Sequence, residues 1–193
     1  MSRSSILHKR SQQKLQVSLA LCIKMSNGVK LELANINEAQ IINELLNLAY
    51  RGEKGWTTEN SLVSGDRSTI SDIKLSIENS IFLIYKKNSD LVACICLEAK
   101  DHEVYIGSFA VHPDYQAGGL GKSILRAAEK YSIDELEAKK FIMVVLSKRI
   151  ELISFYERRG YQKTGINKEY PLHLNVGTPK SSGLTIVQLY KNA

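Results

Sequence analysis

Between residues 112 and 125 the chain reads HPDYQAGGLGKSIL, with Gly118, Gly119 and Gly121 inside four positions and Lys122 directly behind them. Leu120, Ile124, Leu125 and Ala128 then recur on one helical face and Lys122, Arg126, Glu129 and Lys130 on another, so a helix begins near Gly119. The first amides of a helix have no intrahelical acceptor, and the helix dipole adds partial positive charge there. Glycine lets an anion approach that backbone closely, and Lys122 supplies a mobile charge, so the chemistry these residue types support is phosphate binding. A tight strand-to-helix turn would also use glycine, but it needs one rather than three.

Two phosphate loops fail residue by residue. A Walker A loop, G-x-x-x-x-G-K-[ST], ends correctly at Gly121-Lys122-Ser123 but has Gln116 where its first glycine belongs. The later run FIMVVLSK also lacks a terminal Asp for magnesium. A dinucleotide fingerprint, G-x-G-x-x-G, fits at Gly119 and Gly121 and fails at Ile124.

The elements that must position this loop follow from periodicity. VKLELA alternates as a half-buried strand does, and NEAQIINELLNLAY carries apolar residues at helical spacing behind an Asn. GEKGWTTENSLVSGDRST has no period and reads as loop with at most a turn of helix, and ISDIKLSIENS as a second helix. IFLIYKK and LVACICLEAK flank a hairpin turn at Asn88-Ser89-Asp90, and a further turn at Lys100-Asp101-His102 leads into EVYIGSFAV. The glycine loop and a helix to about Tyr131 follow, then the strand FIMVVL, a helix through ELISFYERR, a turn at Gly160, and two strands near YQKTGI and LTIVQLY. The order is βααβββαβαββ: an α/β fold with a mixed, mostly antiparallel sheet flanked by helices and one βαβ unit at the glycines.

The charge of +6 is unevenly placed. Residues 1–30 hold six basic residues and no acid, leaving twenty basic and twenty acidic residues in 31–193, so the body is near neutral and offers no nucleic-acid-binding face. LQVSLALCI is too short to span a bilayer, and no small-x-small cleavage site follows it. Residues 1–24 therefore read as a basic leader, disordered or an over-long start-codon assignment, before a single domain over 25–193. Cys94 and Cys96 sit two apart on one strand face, where a disulfide cannot form, and the four His are scattered. The expectation is a cytoplasmic protein with no metal, no membrane partner and no disulfide.

One arrangement does fit the glycine loop: strand, V-x-P, short turn, Q-x-x-G-x-G, helix. It is present as Val111-His112-Pro113, Gln116, Gly119 and Gly121, and FYERRGY follows with the pattern Y-x-x-x-G-[FY] at Tyr156, Gly160 and Tyr161. These two motifs, in this order, resemble the GNAT superfamily of N-acetyltransferases over roughly residues 28–192. AYRGEKGWTTE with RIELISFYERRGYQKTG is similar to one widespread, poorly characterised branch. The resemblance implies acetyl-coenzyme A as cosubstrate, with its pyrophosphate cradled by Gln116, Ala117, Gly118, Gly119, Leu120, Gly121 and Lys122. It further implies pantetheine added along Phe109, Ala110 and Val111, where the sheet splays, and a small-molecule or protein amine as acceptor. Relatives commonly dimerise, so a homodimer is compatible.

Transfer from a thioester to an amine needs a protonated group for the leaving thiolate, oxyanion stabilisation and a neutral nucleophile. Tyr156 occupies the family's general-acid position, although a tyrosine between Leu152 and Gly160 also suits a core. An amine with a pKa of ~10.4 costs roughly 4–5 kcal/mol to deprotonate at pH 7, so a proton relay is needed. Tyr105 stands where several relatives have a carboxylate; the candidate bases are Glu103, on the same strand face, and Glu59 in GWTTE, with water as a third route. Arg149, where many relatives have Asn, binds coenzyme or acceptor or caps a solvated face. Trp56, the one tryptophan, anchors its loop or walls the acceptor pocket. His112, in the middle of V-x-P, is a turn residue. The alternative to an enzyme is an acyl-coenzyme A sensor of the same fold.

Overall fold

A computed structural model of the chain describes residues 29–193. The basic leader lies outside those residues. A short strand β1 (Glu32–Leu33) leads through a single 3-10 turn, capped by Asn35, into helix α1 (Ala39–Arg51). A two-residue strand β2 (Val63–Ser64) precedes helix α2 (Ile70–Asn79), whose start is fixed by a capping box between Thr69 and Asp72. Three long strands follow, β3 (Ile81–Lys87), β4 (Asp90–Lys100) and β5 (Glu103–Val111). Asn88 and Ser89 take up the positive φ angles of the first hairpin turn, and Asp101 that of the second.

Helix α3 (Leu120–Leu136), strand β6 (Lys140–Leu146), helix α4 (Ile150–Glu157), strand β7 (Gln162–Glu169), the two-residue β8 (Thr178–Pro179) and β9 (Thr185–Asn192) complete the chain. The expected order is found, with two additions. β2 and β8 pair with each other, and two-residue strands are too short to leave a period in sequence. Helix α3 runs one turn past Tyr131 because the buried Ser132 hydroxyl donates to Ala128 O at 2.8 Å, which satisfies inside the helix a polar group that reads as a helix end.

Seven strands form one sheet in the order β1-β3-β4-β5-β6-β9-β7, antiparallel everywhere except between β5 and β6. Helices α1 and α2 cover one face through Ile42, Leu45, Leu46 and Ile73 against Phe82, Ile84, Cys94, Cys96 and Ala110. Helices α3 and α4 cover the other through Ile124, Leu125, Ala128, Tyr131 and Ile153 against Leu83, Ile95, Leu97, Val104, Ile106 and Phe141. Each fully buried Leu or Ile contributes roughly 1.5–3 kcal/mol by leaving water. Cys94 and Cys96 share the α1 face as expected, and burial pushes both thiols up, Cys96 to about 12, so they stay protonated and unreactive. Among the described residues, no helix is long and apolar enough to cross a membrane and no group of His, Cys, Asp and Glu could hold a metal ion.

Candidate functional site

The site begins with two irregularities in β5. Cys94 lies opposite Ala110 but Cys96 opposite Gly107, so β5 carries one extra residue, and Ser108 accommodates it with φ of 44°. Bonding to β6 is confined to Glu103–Tyr105 against Lys140–Ile142. Beyond Tyr105 the strand follows β4 while β6 follows β9 to Leu146, and the sheet opens between them. His112 N donates to Val92 O at 2.8 Å, so the alternation along the strand turns the polar backbone of Phe109 and Val111 away from β4. Their carbonyls accept from the Tyr50 hydroxyl at 3.1 Å and from Gln116 Nε2 at 2.9 Å.

A cavity of about 330 Å³ lies on the α3 and α4 side of this opening. Phe109, Ala110, Val111, Gln116, Ala117, Gly119, Gly121, Lys122 and Arg149 line it together with Trp56 and Tyr156. Gly118 and Leu120 do not; Leu120 packs against the core behind the loop. Four cations border the cavity, Lys122, Arg149, Arg158 and Arg159, and no carboxylate does, which is the charge pattern of an anion site. The 17-residue helix α3 starts at its rim, where the amides of Leu120, Gly121 and Lys122 precede the first intrahelical bond, Ser123 N to Gly119 O. Gly119 caps the helix with φ of 79° and Ala117 has φ of 71°, so the left-handed turn is what the loop demands.

Gln116 has a role its motif position does not announce. Its Nε2 holds Val111 O, and its Oε1 accepts from Trp56 N at 2.6 Å, so one side chain fastens the 52–59 loop to the end of β5. Trp56 then leans on Phe155, ring centres 5.8 Å apart, and is both anchored and a wall of the cavity. Across the cavity Arg159 stacks on the Phe155 ring, 3.3 Å from its centre, and bonds Phe155 O. Burial, followed by the neighbouring Arg158 charge, lowers the Arg159 pKa. A Cβ at Gly119 would meet nothing within 4 Å, so Gly119→Glu should fold with only the cost of a left-handed non-glycine residue, about 1 kcal/mol. Its carboxylate projects at the cationic rim, and calorimetry is expected to show affinity for a phosphate-bearing ligand reduced at least 100-fold, whereas Gly119→Asn, which tolerates that φ, retains most of it.

A second, smaller cavity of about 100 Å³ lies across the opening, lined by Tyr50, Glu59, Arg67, Tyr105, Phe109, Met143, Arg149, Tyr156 and Tyr170 among others. Tyr50, Phe109, Arg149, Leu152 and Tyr156 line both cavities, so the two meet at the point where the sheet divides. Tyr156 is 6% exposed, with its ring edge-on to Phe155 and Tyr161 at 5.2 and 5.7 Å. Burial, then the nearby Tyr50, pushes its phenol well above the usual value and keeps it protonated.

Glu59 is buried at the wall of this second cavity. Its Oε1 accepts from Arg149 Nη1 at 2.9 Å and its Oε2 from Arg51 Nη1. The rest of the Arg149 guanidinium bonds Thr57 Oγ1, from Nε at 3.2 Å and Nη2 at 3.0 Å, so Arg149 is neither exposed nor a surface cap. Glu103 is not brought to the site. It begins β5, paired to Lys140 Nζ at 2.8 Å at the closed end of the splay, and lines neither cavity. Sharing a strand face with Tyr105 moves it along the strand by two residues, roughly 7 Å, away from the opening. Tyr105 itself lines the second cavity, and burial raises it to about 12.

Several site residues escape a reading by motif. Tyr50, Arg51 and Thr57 lie within AYRGEKGWTTE, which the sequence marks only as part of the family resemblance and partly as loop, with no separate role for any of the three. Arg67 and Tyr170 come from loops with no pattern, and only the fold brings them beside β5.

The family model described as "Acetyltransferase (GNAT) family" matches residues 40–161. A curated protein of Bacillus subtilis (strain 168), "UPF0157 protein YqkA", is 27% identical over 138 residues, 69% of this chain and 38% of its own length. The chain thus spans under two fifths of that relative. Among solved structures, a GNAT family acetyltransferase from Elizabethkingia anophelis with acetyl-CoA bound superposes with a TM-score of 0.62 at 14% identity, over 87% of this chain and 100% of the other. Spermidine N-acetyltransferase from Vibrio cholerae, in complex with CoA and spermine, gives 0.64 at 13% identity, over 86% and 96%. These likenesses are of fold.

Proposed function

The chain belongs to the GNAT acetyltransferase family, and from that premise we propose that it transfers an acetyl group from acetyl-coenzyme A to a primary amine by direct attack on the thioester. The observation that carries the reading is the pair of cavities meeting at the splayed end of β5, one bordered by four cations and a helix start without any carboxylate, with Tyr156 in both walls. Pyrophosphate is the natural ligand of that first cavity: the Gly121 and Lys122 amides take phosphate oxygens, and Lys122 and Arg158 neutralise charge from the rim. The pantetheine arm runs along Phe109 and Val111, whose main chains face the opening, and a backbone amide aimed at the thioester oxygen stabilises the oxyanion by a few kcal/mol.

The amine enters from the second cavity and attacks the carbonyl carbon; the C–S bond breaks as the tetrahedral intermediate collapses, and the phenol of Tyr156 gives its proton to the departing sulfur. Glu59 has each oxygen held by a guanidinium, an arrangement that favours it as the organiser of Arg149 and leaves water to carry off the proton of the amine. Calorimetry with acetyl-coenzyme A, together with thiol release over a panel of amines, tests the reading. Micromolar binding with amine-dependent thiol release is expected. Tight binding without release on any amine would make the protein an acyl-coenzyme A sensor, and absence of binding would end the reading altogether.

A further inference from the structure

Arg67 is the one guanidinium at the second cavity that faces no carboxylate among the described residues. Its charge lies over the Tyr50 ring, 5.1 Å from the centre, and its side chain lines the cavity beside Tyr105 and Tyr170. Burial pushes up the phenols of Tyr50, Tyr105 and Tyr170, and in each of them the Arg67 charge opposes that rise. The single acid in the cavity wall, Glu59, is already matched by Arg149 and, behind it, Arg51. The wall itself therefore holds two guanidiniums, Arg67 and Arg149, against one carboxylate, an excess of one positive charge that falls on Arg67.

Resting on the proposed acetyl transfer, we infer that the acceptor is a small amino acid, an amine that also bears a carboxylate, and that Arg67 holds the carboxylate. A guanidinium without an anionic partner in a half-buried wall is matched by a planar carboxylate in a paired, charge-assisted geometry. The cavity suits a short acceptor. Arg67 lies over the Tyr50 ring whose hydroxyl donates to Phe109 O, so one side chain links the guanidinium to the splayed end of β5. A cavity of about 100 Å³ admits few heavy atoms, since one of roughly 150 Å³ holds benzene. The same pairing addresses the missing base: an acceptor's own carboxylate favours its ammonium form, and Arg67 cancels that charge, so the amine loses its proton more readily once its carboxylate is bound. A polyamine or a lysine side chain brings only like charge to this wall.

The test is kcat/KM, from thiol release, for β-alanine and 4-aminobutyrate against β-alaninamide and putrescine, corrected for the neutral-amine fraction. The acids are expected to exceed the amide and the diamine by roughly 10- to 100-fold. Arg67→Met should bring that ratio to within about threefold, chiefly through KM for the acids, with the dissociation constant for acetyl-coenzyme A unmoved; Arg67→Lys, which keeps the charge, should retain part of the preference. Amide or diamine turnover equal to that of the acids, or a preference that survives Arg67→Met, overturns the inference while leaving acetyl transfer standing. Coenzyme binding without release on any amine refutes acetyl transfer instead, and calorimetry of the acids into the coenzyme A complex then decides the anion site: binding lost in Arg67→Met supports it, and no binding refutes it.

Discussion

Tyr156→Phe is expected to lower kcat about 10²–10⁴-fold with saturating acetyl-coenzyme A, while the dissociation constant for the coenzyme stays within about twofold. The substitution removes one hydroxyl and keeps the ring, so the edge contacts to Phe155 and Tyr161 survive and the fold should lose little. The pH dependence sharpens the expectation. Burial raises the Tyr156 pKa above its ordinary 10.0, so the acid form is present at every pH up to at least about 10, and no falling limb from this group should appear below that. The neutral fraction of the amine rises over the same range, and kcat/KM should therefore climb with pH in both proteins, with the variant lower by a constant factor. Stopped-flow detection of free thiol between pH 6.5 and 10 measures this. A variant with undiminished kcat, or one that loses activity only at alkaline pH, would remove Tyr156 as the acid.

The glycine loop and FYERRGY were legible because each takes its shape from a few consecutive residues: a helix start needs local φ angles, and Tyr156 is set by its place on α4. Strand alternation likewise placed Cys94 and Cys96 on one face, since side-chain direction in a strand has period two. The acceptor side was not legible in that way. Arg67 and Tyr170 reach the second cavity from separate loops, and the bond that positions Tyr50 joins residues 59 apart in the chain. Glu103 illustrates the same limit from the other side: sequence records that it shares a face with Tyr105, but which end of β5 opens is decided by the bulge at Ser108 and by β6 leaving for β9. Gln116 was legible as a motif position, yet of its two side-chain bonds only the one to Val111 O is local, and the one from Trp56 N depends on a loop sixty residues earlier.

Glu59→Gln is expected to be the most destabilising single substitution at the site. Glu59, Arg149 and Arg51 have side chains only 9%, 7% and 10% exposed, and the neutral amide keeps the shape but leaves two guanidiniums facing each other without a counter-charge. Removing one partner of a buried ion pair costs about 3–5 kcal/mol, because the remaining charge stays desolvated. For a domain of this size a loss of about 3 kcal/mol corresponds to a fall of roughly 6–12 °C in Tm. Activity should fall as well, since Arg149 loses the counter-charge that holds it against Thr57 and the Tyr50 ring, but the shape of the kcat/KM profile with pH should be preserved. A base would behave otherwise: its loss would abolish the acidic limb while Tm changed little. The double variant Glu59→Gln with Arg51→Met separates the two accounts. If the cost comes from an unmatched buried cation, deleting Arg51 as well should recover part of the lost Tm, giving a coupling of opposite sign to the single effects. If Glu59 acts as a base, the second substitution should only add to the damage.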